Sequence, residues 1–287
     1  MLKPTFFLRT VSMMTASVIG ITAHAASLAD IQAKNTIRIA VANEIPYGYT
    51  DLDGSAKGVG PEVAQHLIRA LGIENIEWHT TNFGSLIPGL QADRFDMVAA
   101  EMAILPQRCQ QVLFSEPNSS YGEGLLVAKD NPKDLHRYED FIESEHTLAI
   151  MAGADQLEIM QQLGMDESRL VTIANNADAI STVATGRADA YAATGLTAAQ
   201  LAQQSPKVEV AAKFVDPVVN GQPVRSWGGF TFAQNNTELR DAINTELAKF
   251  KQTQAWQDIL SRYGFSDTDQ KESNAQQTAD LCGAKTN

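Results

Sequence analysis

Positive charge is scarce in this chain: 22 Lys and Arg stand against 34 Asp and Glu, for a net charge of −12. That balance disfavours nucleic acid and anionic lipid as partners. Beyond the N-terminal segment there is no apolar run near the ~20 residues that a spanning helix requires. A soluble body is therefore expected, and the sensor domain of a receptor, which would need such a span, is not. No His/Cys/Asp/Glu spacing suits a metal ion, and His24, His66, His79, His136 and His146 stand beside no candidate nucleophile. Neither a metal nor any other cofactor is expected. Repeats, low-complexity runs and long polar linkers are missing as well. Cysteine is limited to Cys109 and Cys282.

What is present begins with an export signal. Lys3 and Arg9 precede a charge-free stretch from Val11 to Ala23, and Ala23-His24-Ala25 places small residues where signal peptidase reads. Cleavage is expected before Ala26, with residues 1–25 as signal peptide. The apolar stretch is too short to anchor the chain, and no Cys marks a lipoprotein site. Export leads to an oxidising compartment, where Cys109 and Cys282 either pair or remain two free thiols. A bridge closing so long a loop contributes ~2–4 kcal/mol in typical cases.

Strands and helices alternate, which argues for parallel α/β sheets. Strands are expected at 36–42, 76–79 and 95–100, with helices over 61–71 and from Ser85. The grammar restarts with strands at 147–151, 171–173 and 188–193. Helices are expected to end at Leu163, to run over 177–185 and 198–203, and to close the chain at 239–250 and 255–263. The tail after Gly264 reads as polar and irregular. Leu125-Leu126-Val127 and Gly229-Phe230-Thr231-Phe232 bracket the second half as crossing strands. This gives lobe 1 as 26–127, lobe 2 as 128–227, and a return to lobe 1 over 228–287. Clefts between such units form at the carboxyl ends of strands.

Three post-strand loops therefore carry the candidate chemistry. The first holds Glu44, Pro46, Tyr47 and Tyr49; the second Phe83, Gly84 and Ser85; the third runs from Glu101 to Arg108. The planar fork of Arg108 suits a carboxylate. Glu44 offers the opposite charge, and Tyr47 and Phe83 offer ring faces to a cation, worth roughly 0.5–2 kcal/mol each. Glu44 with Glu101 is the one acid–base pair an enzyme could use, and no nucleophile accompanies it.

The stretches Val41-Ala42-Asn43-Glu44-Ile45-Pro46-Tyr47-Gly48-Tyr49, Asn82-Phe83-Gly84-Ser85-Leu86-Ile87-Pro88-Gly89-Leu90, Pro106-Gln107-Arg108-Cys109 and Phe114-Ser115-Glu116-Pro117 carry a resemblance. So do Gly186-Arg187-Ala188-Asp189-Ala190 and Leu281-Cys282. On these residues the chain resembles the family-three periplasmic solute-binding proteins of ABC importers, and within them the ectoine- and hydroxyectoine-binding proteins. The resemblance implies a two-lobed α/β fold of the type II periplasmic-binding-protein class, a monomer, a membrane permease as partner, and capture of a small zwitterion by hinge closure. It implies that Arg108 holds the ligand carboxylate and Glu44 the cation. Tyr47 and Phe83 would enclose that cation, and Gly153, Ala154 and Thr194 would close from lobe 2. Relatives that bind amino acids place an acid near position 194 for a primary ammonium, and Thr194 cannot supply that charge. Glu101, Ala103 and Leu105 depart from the ectoine pattern. Either they leave a wider, more acidic pocket for a larger or more cationic solute, or neighbours such as Tyr121 or Trp227 refill the space. Related folds also host periplasmic dehydratases, so an enzyme of that kind is the remaining alternative.

Overall fold

Thr36-Ile37-Arg38-Ile39-Ala40-Val41 is rich in β-branched residues, which favour a pleated buried surface. It forms β1 (Thr36–Val41), whose Ile37, Ile39, Ala40 and Val41 are fully buried. The computed structural model describes residues 26–283, so the expected signal segment 1–25 lies outside the described residues. Before β1, α1 (Leu28–Lys34) starts on Ser27, whose hydroxyl accepts from the Asp30 amide. A hairpin of β2 (Tyr49–Thr50) and β3 (Ala56–Lys57) leads to α2 (Val59–Ala70). There Val63 and Leu67 share a face at i, i+4 spacing and are buried. Then come β4 (Asn75–Thr80), α3 (Leu86–Gln91), β5 (Met97–Ala103), the one-turn α4 (Pro106–Cys109), β6 (Leu113–Phe114) and β7 (Ser119–Tyr121).

The second half contains β8 (Glu123–Ala128), β9 (Leu148–Met151), α5 (Gln156–Gln162), β10 (Leu170–Ile173), α6 (Ala177–Ala184), β11 (Ala190–Thr194), α7 (Gly195–Gln204) and β12 (Val208–Val210). A small hairpin, β13 (Val218–Val219) with β14 (Gln222–Pro223), precedes the returning β15 (Ser226–Phe232). The chain ends in α8 (Thr237–Phe250), α9 (Gln254–Arg262), α10 (Asp267–Ala275) and α11 (Thr278–Gly283).

Two main sheets result. The first has the order β4-β1-β5-β15-β6, with β7 also paired to β15; the second is β10-β9-β11-β8-β12. In each, the strands that feed the cleft are parallel, and the connecting strand enters antiparallel. This is the type II two-lobed architecture expected from the resemblance. By pairing, the chain changes sheet at Gly122, between β7 and β8, and changes back before Ser226. Leu125, Leu126 and Val127 pair inside the second sheet, whereas Ser226 and Trp227 pair with Tyr121 and Ser120 in the first. The boundaries drawn from sequence, after Val127 and Trp227, differ by a few residues. An apolar run shows that a strand is buried but not which edge it joins.

The tail is helical, not irregular. Ser266 and Asp269 form a capping box at the start of α10. That helix buries only Gln270 and Ser273, so it carries no apolar periodicity to announce it. Hydrogen bonds hold it instead: Ser120 Oγ donates to the Asp269 carbonyl at 2.9 Å, and Trp227 Nε1 to that of Glu272 at 3.1 Å. Cys109 and Cys282 are bridged, with Cα atoms 5.7 Å apart. The bridge pins α11 against α4.

Candidate ligand-binding cleft

The candidate side chains sit at or just beyond the carboxyl ends of parallel strands, where two α/β sheets facing one another leave a crevice. After β1 the backbone folds into a tight loop. Glu44 N–H donates to the Gly48 carbonyl, and Tyr47 and Gly48 N–H both donate to the Glu44 carbonyl. The Ile45–Pro46 peptide within it is cis. This loop turns Glu44 and Tyr47 toward the second lobe. Phe83 follows β4, Arg108 follows β5 on α4, Gly153 to Asp155 follow β9, and Thr194 ends β11.

Together these elements surround a small cavity between the two lobes. Glu44, Tyr47, Phe83, Glu101, Ala103, Ala154 and Thr194 line it, so the structure brings most of the expected residues together. Arg108 and Gly153 are not among the lining residues; they meet beside Ala103 and Phe83, which are. One Arg108 N–H donates to the Ala103 carbonyl and another to that of Gly153, both at 3.0 Å. The guanidinium lies 5.7 Å from the centre of the Phe83 ring. Arg108 is 5% exposed and forms no ion pair among the described residues.

The two lobes touch through polar contacts across this space. Tyr47 hydroxyl donates to Thr194 Oγ1 at 2.8 Å, and Thr197 hydroxyl donates to Glu44 Oε1 at 2.9 Å. Thr194 also caps α7, accepting from the Thr197 amide. At the rim the backbones themselves meet. Gly153 has φ +80°, and a Cβ there would stand 2.8 Å from Gly84 Cα. A Cβ on Gly84 would stand 3.1 Å from the Ala152 carbonyl oxygen. Only two glycines allow so close an approach.

Glu44 is 8% exposed, and no cation among the described residues pairs with it. Burial pushes its carboxyl up to about 7, partly offset by the Thr197 hydroxyl and reinforced by nearby Asp155. Glu101 behaves differently from the other candidates. It sits at φ +49°, and its carboxylate turns to β7 and the residue preceding it. Asn118 Nδ2 donates to it at 2.8 Å and Ser119 Oγ at 2.5 Å. Its charge is spent on the strand that connects the lobes. Tyr121 lines the cavity together with Ala103; its ring packs edge-on to Tyr47 at 5.0 Å and its hydroxyl donates to the Glu101 carbonyl. Trp227 is turned away to α10.

Three polar lining residues, Asp155, Gln156 and Tyr191, were not singled out from sequence, nor was Thr197, the partner of Glu44. The signal for the first two was available, since an acid and an amide directly follow the Gly153-Ala154 turn after a parallel strand. Behind that wall lies Glu123, buried, accepting from Gln156 Nε2 at 2.7 Å and from Tyr138 hydroxyl at 3.1 Å. The arrangement sets one cation near carboxylates and aromatic walls.

Comparison with known proteins agrees with this geometry. The family model described as "Bacterial extracellular solute-binding proteins, family 3" matches residues 37–266. A probable amino-acid ABC transporter periplasmic-binding protein, y4tE of Sinorhizobium fredii (strain NBRC 101917 / NGR234), is 54% identical over 245 residues, which is 85% of this chain and 81% of the relative. Among solved structures, EhuB in complex with hydroxyectoine superposes with a TM-score of 0.81 at 29% identity, covering 90% of this chain and 98% of that one. An ancestral amino acid-binding protein, AncCDT-1, described as a precursor of cyclohexadienyl dehydratase, gives a TM-score of 0.72 at 26% identity over 83% of this chain and 99% of that one.

Proposed function

The chain belongs to the bacterial extracellular solute-binding proteins, family 3, and is the substrate-binding component of an amino-acid-type ABC importer; from that premise we propose that its ligand is a small zwitterion clamped between Arg108 and Glu44. It is a binding protein and not an enzyme, and it works outside the cytoplasm with a membrane permease as partner. We place it in the periplasm as a monomer, after loss of residues 1–25.

The observation that carries the proposal is Arg108. Its guanidinium is buried beside Phe83, held by two backbone carbonyls, and no carboxylate of the described residues neutralises it. A buried unpaired guanidinium costs several kcal/mol. A ligand carboxylate in its plane recovers that cost through paired N–H donors. Glu44 is the matching acid, lining the cavity with Tyr47 and Phe83. Ectoine and hydroxyectoine combine one carboxylate with one delocalised amidinium cation and are the first candidates. The solute contacts both lobes, which favours the closed form that the permease recognises.

Native mass spectrometry of freshly purified protein, followed by calorimetry with ectoine, hydroxyectoine and basic amino acids, tests this reading. Arg108→Ala is expected to lower affinity for every carboxylate ligand by at least about thirtyfold, corresponding to ~2 kcal/mol or more. Unchanged affinity in that variant would remove the clamp from the proposal. A second reading, a more cationic solute, is favoured by Asp155.

A further inference from the structure

The carboxylate clamp stands on very little local structure. Arg108 belongs to α4, a single turn of four residues. A lone turn has no stability of its own in water, because forming it fixes several dihedrals for one hydrogen bond. Yet Arg108 must reach the Gly153 carbonyl of the other lobe at 3.0 Å while lying beside Phe83. Something outside α4 has to hold it. The residue next to Arg108 is Cys109, and Cys109 is bridged to Cys282 of α11.

A bridge can position α4 only if its far end is itself fixed. α11 buries none of its residues, so packing alone does not hold it. Its start is held by Thr278, whose N–H donates to Glu116 Oε2 at 3.0 Å and whose hydroxyl donates to the Ser115 carbonyl. Upstream, α10 is tied to β7 and β15, the strands that lead out of the first lobe and back into it. Ser120 and Trp227 donate to its carbonyls, and Arg225, just before β15, pairs with Asp269. Lys251 at the end of α8 adds a further tie, donating to the Ser273 carbonyl at 2.8 Å and to that of Pro117 at 2.6 Å. One segment of chain thus joins the crossing strands to the turn that carries Arg108. The family match ends at residue 266, so both helices lie beyond it.

We propose that α10, α11 and the Cys109–Cys282 bridge form a strap that positions Arg108 for ligand capture. The inference rests on the Arg108 clamp and assigns positioning residues behind it. With the bridge in place, α4 keeps one orientation in the open cleft, and the guanidinium is presented ready for a carboxylate. Without it, α4 samples several orientations, and the ligand must order them on binding, which lowers affinity. The bridge therefore acts on capture as well as on the stability of the fold.

The test uses the full mature chain, with circular dichroism confirming that each variant is folded. Cys109→Ser combined with Cys282→Ser removes the bridge and leaves no free thiol. Calorimetry with ectoine and with arginine should show affinity at least about fivefold lower in this variant than in wild type. In the Arg108→Ala background the same two substitutions should change affinity by less than about twofold, because the bridge acts through Arg108. A purely stabilising bridge would move neither affinity. Backbone amide NMR relaxation without ligand gives a second readout. The Arg108 and Gln110 amides should fall from a rigid order parameter of about 0.85 toward about 0.6, with Ile39 of β1 unchanged. Rigid α4 amides in the bridge-free protein overturn the inference whichever solute binds. So does affinity within twofold of wild type, or an equal loss with and without Arg108. Retained affinity in Arg108→Ala alone refutes the clamp and the inference with it, whereas loss there beside unchanged bridge-free affinity refutes the strap only.

Discussion

Ligand-free closure of the cleft should take up a proton at Glu44. In an open cleft this carboxyl meets water and titrates near its ordinary value of 4.5; in the closed form burial raises it to about 7. The difference corresponds to about 3 kcal/mol of penalty for closing over the ionised group. For an acid raised in this way, the penalty is absent below the lower value and fully present above the higher one. The closed-to-open ratio without ligand should therefore rise on the order of fiftyfold between pH 8 and pH 5. Fluorescence transfer between dyes placed one on each lobe measures it, with small-angle scattering as a check on compaction. Glu44→Gln should close equally at both pH values. Glu123→Gln should keep the wild-type response, because Tyr138 and Gln156, which bind Glu123, lie on its own lobe and move with it. A cationic ligand replaces the proton, so saturating ligand should close the cleft at either pH. The reasoning fails if the ligand-free closed fraction is flat across this range, or if Glu44→Gln retains the dependence.

Three further outcomes are expected. Cys109→Ser removes a bridge across a sequence separation of 173 residues, which should cost about 2–5 kcal/mol and lower the midpoint of thermal unfolding by roughly 5–15 °C; an unchanged midpoint would show that the bridge does not restrain the unfolded chain. Gly84→Val places side-chain atoms against the Ala152 carbonyl and the Gly153 backbone. Affinity should fall at least about tenfold by calorimetry with little change in thermal stability, and normal affinity would remove this contact from the closed form. Glu101→Ala leaves the buried Asn118 and Ser119 donors without their acceptor, a loss of about 1–3 kcal/mol each. Denaturant unfolding should register that loss while ligand affinity stays within about threefold, and the reverse pattern would assign Glu101 to the ligand.

The α/β order was legible because each strand is short, apolar and followed by a polar loop. The helices 61–71, 177–185 and 255–263 expected from apolar spacing are observed as Val59–Ala70, Ala177–Ala184 and Gln254–Arg262. α10 escaped because its contacts are hydrogen bonds to β7, Trp227 and Lys251, none of which leaves a periodic mark. In the cleft, Glu44, Tyr47 and Arg108 could be read from their position after strands. Glu101 could not, because its direction depends on a left-handed backbone at a non-glycine residue. Gly228 opposite it is part of the same accommodation: a Cβ there would stand 2.8 Å from the Glu101 carbonyl oxygen and 2.7 Å from Ser119 Oγ. Asp155 stands where an acid would cap α5 but makes no capping bond, and its partner, Ser226, lies 71 residues away, a distance that leaves no local mark in the sequence.

The pairing of Tyr121 with Ser226 makes the second lobe an insertion whose two ends lie one strand spacing apart, about 4.8 Å. Synthesis therefore delivers the whole second lobe before β15, the strand that completes the middle of the first sheet. Until then β5 presents an open edge, and its fully buried row of Met97 to Ala103 has no partner on that side. The second lobe can gather its own five strands while the first waits. A chaperone or export factor that holds the chain during this interval would act chiefly on β5. A short linker from Tyr121 to Ser226 would remove the wait altogether, giving a minimal first lobe whose sheet closes without a long-range return.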